Sequence, residues 1–207
     1  MQQLDVHVFV FDDLADWEMA YAVAGINTPQ LQLNPGRYRV RTVALAERPV
    51  VSMGGIRIVP DLALNRLSPR DSALLILPGG MPWASGHNTQ AIDAARRFLD
   101  AGVPVAGICA ATLALARAGL LDQRRHTSNS ADYLAASGYR GAALYEDAPA
   151  VTDGDLITAP GTAPIDFAYH IFQRLGLYSP EVLDAWYGLH KTGKPEYFAA
   201  LMRAAGG

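Results

Sequence analysis

Between Gly102 and Leu121 the chain changes character at one residue. Pro104 to Ile108 is a short apolar run with the β-branched Val105 and Ile108, which predicts a buried strand. Ala110 to Ala118 is almost entirely helix formers, with neither Gly nor Pro, which predicts a helix. Cys109, the only cysteine among 207 residues, stands at the junction. A strand that turns directly into a helix lifts the junction side chain off the sheet edge, as in a nucleophile elbow. It also aims that side chain at the free N–H groups and positive end of the helix, which favours thiolate over thiol. A lone cysteine is otherwise read as a small buried hydrophobe; the junction, with Gly107 and Ala110 as small neighbours, tips the reading toward a reactive sulfur. Pro104, Gly107 and Arg117 interrupt the stretch, so it does not read as a membrane span.

The rest of the chain repeats the strand-then-helix pattern. Leu4–Phe11 predicts a first, central strand. Asp12–Asp16 is then a loop, Asp16 an N-cap, and Trp17 to about Gly25 a helix with Glu18 in its first turn. Asn27–Pro35 reads as an irregular connection. Tyr38–Leu45 predicts a strand, Val50–Val59 a hairpin around Gly54-Gly55, and Asp61–Leu67 a short helical turn. Ala73–Leu77 is apolar throughout, the mark of a strand buried on both faces. It runs into Pro78-Gly79-Gly80, where glycines permit close backbone approach. Asn88–Gly102 is helical, with Ala91, Ile92, Ala95, Phe98 and Leu99 on one side. Ser130 or Asn129 caps a short helix over 131–136. Tyr145–Val151 and Leu156–Ala159 predict strands about a turn at 152–155, Gly161-Thr162 opens a helix to Leu175, and 181–189 and 196–205 are helical. Strands alternating with helices imply a doubly wound, mostly parallel α/β sheet with helices on both faces. The carboxyl ends of its strands then gather Asp12–Glu18, Pro78–Trp83 and Cys109–Ala111. No repeat or linker divides the chain, which reads as one domain over 1–207.

The composition narrows the function classes. A net charge of −3 with no basic run argues against nucleic acid. One cysteine forms no internal disulfide, and the first residues lack the regions of a signal peptide, so a cytoplasmic protein is expected, with no membrane partner. His7, His87, His126, His170 and His190 show no metal-ligand spacing, so neither metal nor cofactor is expected.

Asp16-Trp17-Glu18, Leu77-Pro78-Gly79-Gly80, Ala106–Ala111, Ala118-Gly119-Leu120-Leu121 and Ile157–Thr162 together resemble the ThiJ/PfpI branch of the class I glutamine amidotransferase-like superfamily. The resemblance implies a flavodoxin-like fold and a homodimer. Its members include amidases, proteases, glyoxalase- and deglycase-like enzymes, isonitrile hydratases, chaperones and oxidative-stress sensors. It implies that Cys109 is the reactive cysteine and Glu18 the acid against its sulfur. Gly80 and Ala110 would supply the oxyanion-hole N–H groups, a contribution often worth ~3–4 kcal/mol per donor. Trp17, Gly79 and Trp83 are expected around the pocket. One position departs from the pattern. Matching Arg124-Arg125 and Thr127-Ser128 to a segment that carries a catalytic histidine in many relatives puts Asn129, not His126, at the histidine position. Either His126 reaches the sulfur by a local rearrangement, or Glu18 handles the proton alone. In an extended segment side chains alternate faces, so His126 and Asn129 point to opposite sides.

These residues fit a cysteine-dependent enzyme acting on a small carbonyl, amide or nitrile-like substrate. They also fit a redox-responsive stress protein whose cysteine oxidises. A structural protein with an inert cysteine leaves Glu18 and Gly79-Gly80 without a role.

Overall fold

The computed structural model describes residues 3–206. In chain order, strands and helices are β1 (Leu4–Phe9), α1 (Asp16–Asn27), β2 (Tyr38–Ala44), β3 (Val50–Val51), β4 (Arg57–Ile58), β5 (Leu62–Ala63), β6 (Ser72–Leu77), α2 (Met81–Ala84), α3 (Thr89–Asp100), β7 (Val105–Ile108), α4 (Ala110–Arg117), α5 (Ala131–Ala135), β8 (Val151–Asp153), β9 (Leu156–Ala159), α6 (Pro164–Leu175), α7 (Pro180–Thr192) and α8 (Pro195–Gly206). Seven strands form one sheet in the order β5-β2-β1-β6-β7-β9-β8, and β3 and β4 pair as a separate hairpin. All neighbours in the large sheet are parallel except β8 and β9.

From β1 the chain crosses through α1 to β2 on one side, and from β6 through α3 to β7 on the other. Right-handed crossovers run in opposite directions place their helices on opposite faces. Accordingly α1 packs on α6, while α3 packs on α4. Both faces being covered, the central strands are apolar and buried: Val6, Val8, Leu74 to Leu77, Val105, Ala106 and Ile108 are sealed from solvent. The strand order reverses between β1 and β6, and in open α/β sheets such a switch point opens a crevice at the carboxyl ends. Among the described residues, no helix is long and apolar enough to cross a membrane.

Several local expectations are corrected. Asp16 does not cap α1. Ala15 holds the cap position, and Asp16 is the first helical residue. Its carboxylate accepts instead from the Gly54 N–H at 2.7 Å, tying the β3–β4 turn to the start of α1. The segment from Tyr145 is not a strand before Val151. Residues 142–144 form a 3-10 turn, and Tyr145 makes only an isolated bridge with His126. Pro149 lacks the N–H that a ladder needs. Residues 61–67 give a two-residue strand, β5, followed by a 3-10 turn. The helix expected from Gly161 begins at Pro164, whose fixed φ suits a first helical position; Gly161 stays in the loop, where it meets the site.

Candidate active site

The elbow is strained where the sequence predicts it. Cys109 has φ 57° and ψ −125°, a region that costs a non-glycine residue about 1–3 kcal/mol and persists only when its surroundings enforce it. Those surroundings are its neighbours in the sheet and helix. The Cys109 N–H donates to Ala159 O at 2.9 Å, and the Thr112 N–H donates back to Cys109 O at 3.1 Å. The Thr112 hydroxyl donates to the same carbonyl at 2.5 Å and meets Ser128 Oγ at 2.6 Å. These bonds lock the end of β7 to β9, to the first turn of α4 and to the 126–129 segment.

Three further loops converge on the sulfur. Glu18, on the first turn of α1, is 2% exposed and its carboxyl lies beside the Cys109 side chain. Its Oε2 accepts from the Gly79 N–H at 2.5 Å. Gly79 must lack a side chain: a Cβ there would sit 2.5 Å from Glu18 Oε2 and 2.7 Å from the Cys109 Cβ. From the β9–α6 loop, Gly161 closes in equally tightly, its would-be Cβ 2.8 Å from Cys109 Sγ and 2.9 Å from Glu18 Oε1. Gly161 was not among the site residues expected from sequence. The signal available was its place directly after the carboxyl end of a predicted strand.

Asn129 completes the ring. Its Nδ2 donates to Cys109 Sγ at 3.4 Å, and its Oδ1 accepts from the Gly161 N–H at 2.9 Å. The second bond orients the amide, so that the first presents a donor to sulfur. His126 turns away. It is wholly buried, with Nδ1 against Arg124 O at 2.7 Å and Nε2 against the Tyr139 hydroxyl at 3.0 Å. The side-chain hydrogen bond to the sulfur thus comes from Asn129 and not from a histidine.

Gly80 lies at φ 156°, ψ 156°, backbone space essentially reserved for glycine. A Cβ there would meet Asp13 O at 2.7 Å and the Phe11 ring at 2.8 Å. Trp83 does not wall the pocket. It is fully buried, donates its indole N–H to Pro78 O at 2.8 Å and packs against Phe9 and Phe11, so it braces the 78–83 loop from beneath. Trp17 is half exposed at 52%.

The electrostatics reverse one expectation. Burial and then the neighbouring Glu18 carboxylate push the Cys109 thiol up to about 11, against which the Asn129 amide and the Ala110 N–H pull down. The helix N-terminus is thus outweighed by desolvation and a like charge. Burial also raises the Glu18 carboxyl above its usual range, opposed by its bonds to Cys109 and Gly79. The Glu18 carboxylate opposes ionisation of the thiol, which would place two negative charges side by side.

A model of the DJ-1/PfpI family matches residues 5–174. A Bacillus subtilis protein named as an uncharacterized protease, YoaZ, is 38% identical over 212 residues, covering 98% of each chain. A crystal structure of a thiJ/pfpI family protein from Bacillus anthracis superposes with a TM-score of 0.92 at 38% identity, covering 99% of this chain and 98% of that one. A protein from Pyrococcus abyssi named as a deglycase is 30% identical over 118 residues, 56% of this chain and 67% of that one.

Proposed function

The chain belongs to the DJ-1/PfpI family, and from that premise we propose that it is a cysteine-dependent enzyme acting on a small reactive carbonyl compound, with Glu18 in place of a histidine as the proton-transfer group. The observation that carries this reading is the buried Glu18 carboxyl beside the Cys109 sulfur, both within 3 Å of where a Gly161 Cβ would sit, while both His126 nitrogens are bonded elsewhere. The carboxylate takes the thiol proton as sulfur attacks the carbonyl carbon. The carbon–sulfur bond forms, the π pair moves onto oxygen, and the Gly80 and Ala110 N–H groups face that charge. Glu18 returns its proton to the oxygen, giving a neutral hemithioacetal. Transfer within one contact pair removes the need for a free thiolate, which the raised thiol pKa makes scarce at neutral pH. Amide cleavage fits less well. It demands an acid for the leaving nitrogen, and the amide of Asn129 cannot supply a proton. The deglycase name of the archaeal relative supports carbonyl chemistry; the protease name of the Bacillus relative points to amides.

Purified protein should consume methylglyoxal, lose that activity in Cys109→Ala, fall by ~100-fold or more in Glu18→Gln, and leave casein uncut. Casein cleavage that disappears in Cys109→Ala would sink the carbonyl reading. The same sulfur, free and partly exposed, favours a second reading in which peroxide oxidises it to sulfenic acid and is reduced to water. Stoichiometric oxidation of Cys109 without turnover of any carbonyl would favour that one.

A further inference from the structure

A cavity of about 560 Å³ lies on the other side of the 78–83 loop from Cys109, at the carboxyl ends of β1 and β2. Neither Cys109, Glu18, Gly79, Asn129 nor Gly161 lines it. Its volume is that of a small-molecule site. Val10, Phe11, Ala44, Val50 and Pro82 give it an apolar floor. Phe11 is held rigidly there, stacked on Phe9 and edge-on to Trp83.

The polar lining consists of Asp12, Arg48, His87, Asn88, Thr89 and Gln90. Thr89 and Gln90 open α3, where the first N–H groups of a helix have no intrahelical partner. Asn88 precedes them. It is 7% exposed and adopts a left-handed φ of 63°, yet its side chain does not cap the helix. Its Nδ2 is buried with no hydrogen-bond partner, the only such buried side-chain nitrogen or oxygen among the described residues. A buried amide left unpaired costs about 1–3 kcal/mol. Arg48 adds a cation at the rim. The acid of the lining, Asp12, already accepts from the Val51 N–H at 2.8 Å and lies 3.8 Å from Arg48.

We propose that this cavity is a second binding site, separate from the Cys109 centre, for a small carboxylate with an apolar body. The carboxylate lies at the start of α3 against Asn88, with Arg48 over it, and the body rests on Phe11, Val10 and Val50. Because Phe11 both lines this cavity and packs against Gly80, and Pro82 of the 78–83 loop lines it too, an occupant presses on the loop that carries one wall of the Cys109 site.

The test is a titration of the ¹⁵N-labelled full chain with 3-phenylpropionate, and with the neutral 3-phenylpropanamide as control, followed by NMR. The expected result is saturable shifts at the Asn88, Thr89 and Gln90 amides with a Kd of about 1 mM or tighter. The amide control should bind ~10-fold or more weakly, as should the acid to Asn88→Gly (which keeps the left-handed backbone) and to Arg48→Gln. No saturation by about 10 mM, equal affinity for the neutral control, or shifts centred on Glu18, Gly79 and Ala110 would overturn the proposal. If Asn88→Gly does not fold, the exposed Arg48→Gln decides, and unchanged affinity in that variant overturns it.

Discussion

At the scale of single residues, the chemistry of the site is a contest over one proton. Burial and Glu18 hold the Cys109 thiol at about 11, and the Asn129 amide pulls against them. Iodoacetamide labelling of Cys109 followed against pH should therefore show a midpoint near 11 in the native protein, well above the ~8.5 of a free cysteine. Glu18→Gln removes the opposing charge and should lower that midpoint. Asn129→Ala removes a donor to the thiolate and should raise it. His126→Ala should leave it in place, since neither ring nitrogen bonds the sulfur. A native midpoint at or below that of free cysteine would mean that the helix N-terminus outweighs burial and Glu18, and a midpoint that follows His126 would mean that a Cys–His pair operates.

At the scale of elements, the site is made by loops forced together at the carboxyl ends of β6, β7 and β9 and at the start of α1. Their closeness leaves no room for a methyl group at Gly161, whose Cβ would lie 2.8 Å from the sulfur and 2.9 Å from Glu18 Oε1. Gly161 does not occupy a positive φ, so the backbone itself accepts alanine. Gly161→Ala should keep its circular dichroism and most of its thermal stability, while alkylation of Cys109 slows ~10-fold or more as the pair is displaced or covered. An unchanged labelling rate would show that the β9–α6 loop relaxes freely and does not shape the site.

At the scale of the whole molecule, the opposite end of the sheet carries a buried polar cluster with its own pH dependence. His7 on β1 is 3% exposed, with Nδ1 against Ser72 Oγ at 2.9 Å and Nε2 4.0 Å from Asp5. Burial lowers its pKa below 6.5; Asp5 and Asp61 oppose this, and Arg41 and Arg39 reinforce it. The unfolded chain takes up a proton at about 6.5 that the folded chain refuses until lower pH, so His7 contributes stability above that value and loses it as pH falls toward its folded pKa. Glu18 acts with the opposite sign in the acid range, because burial raises its folded pKa above the ordinary carboxylate range. Comparing variants separates the two. Between pH 7.5 and 5.5 the melting temperature of the native chain should fall more steeply than that of His7→Gln, by roughly 2–4 °C for each kcal/mol involved. Parallel curves would mean that His7 protonates without cost in the folded chain.

What the sequence determined by itself is local and periodic. The apolar runs at Leu4–Phe11, Ala73–Leu77 and Pro104–Ile108, each followed by a helix-forming segment, imply a parallel sheet covered on both faces, because such strands have no wet side. The switch to helix formers at Cys109 marked the elbow, and the three-residue spacing of His126 and Asn129 put them on opposite faces without deciding which one meets the sulfur. Tertiary structure alone decided the rest, because it depends on distances between segments far apart in the chain. Gly161 is a site residue only because β9 lies beside β7. Trp83 reads as a pocket aromatic from its place after Gly79-Gly80, but Phe9 and Phe11 draw it into the core. The helix N-terminus predicts an acidic thiol, yet burial and Glu18, brought from 91 residues earlier in the chain, outweigh that end effect. Desolvation and long-range charge are properties of packing, and no pattern along the chain carries them.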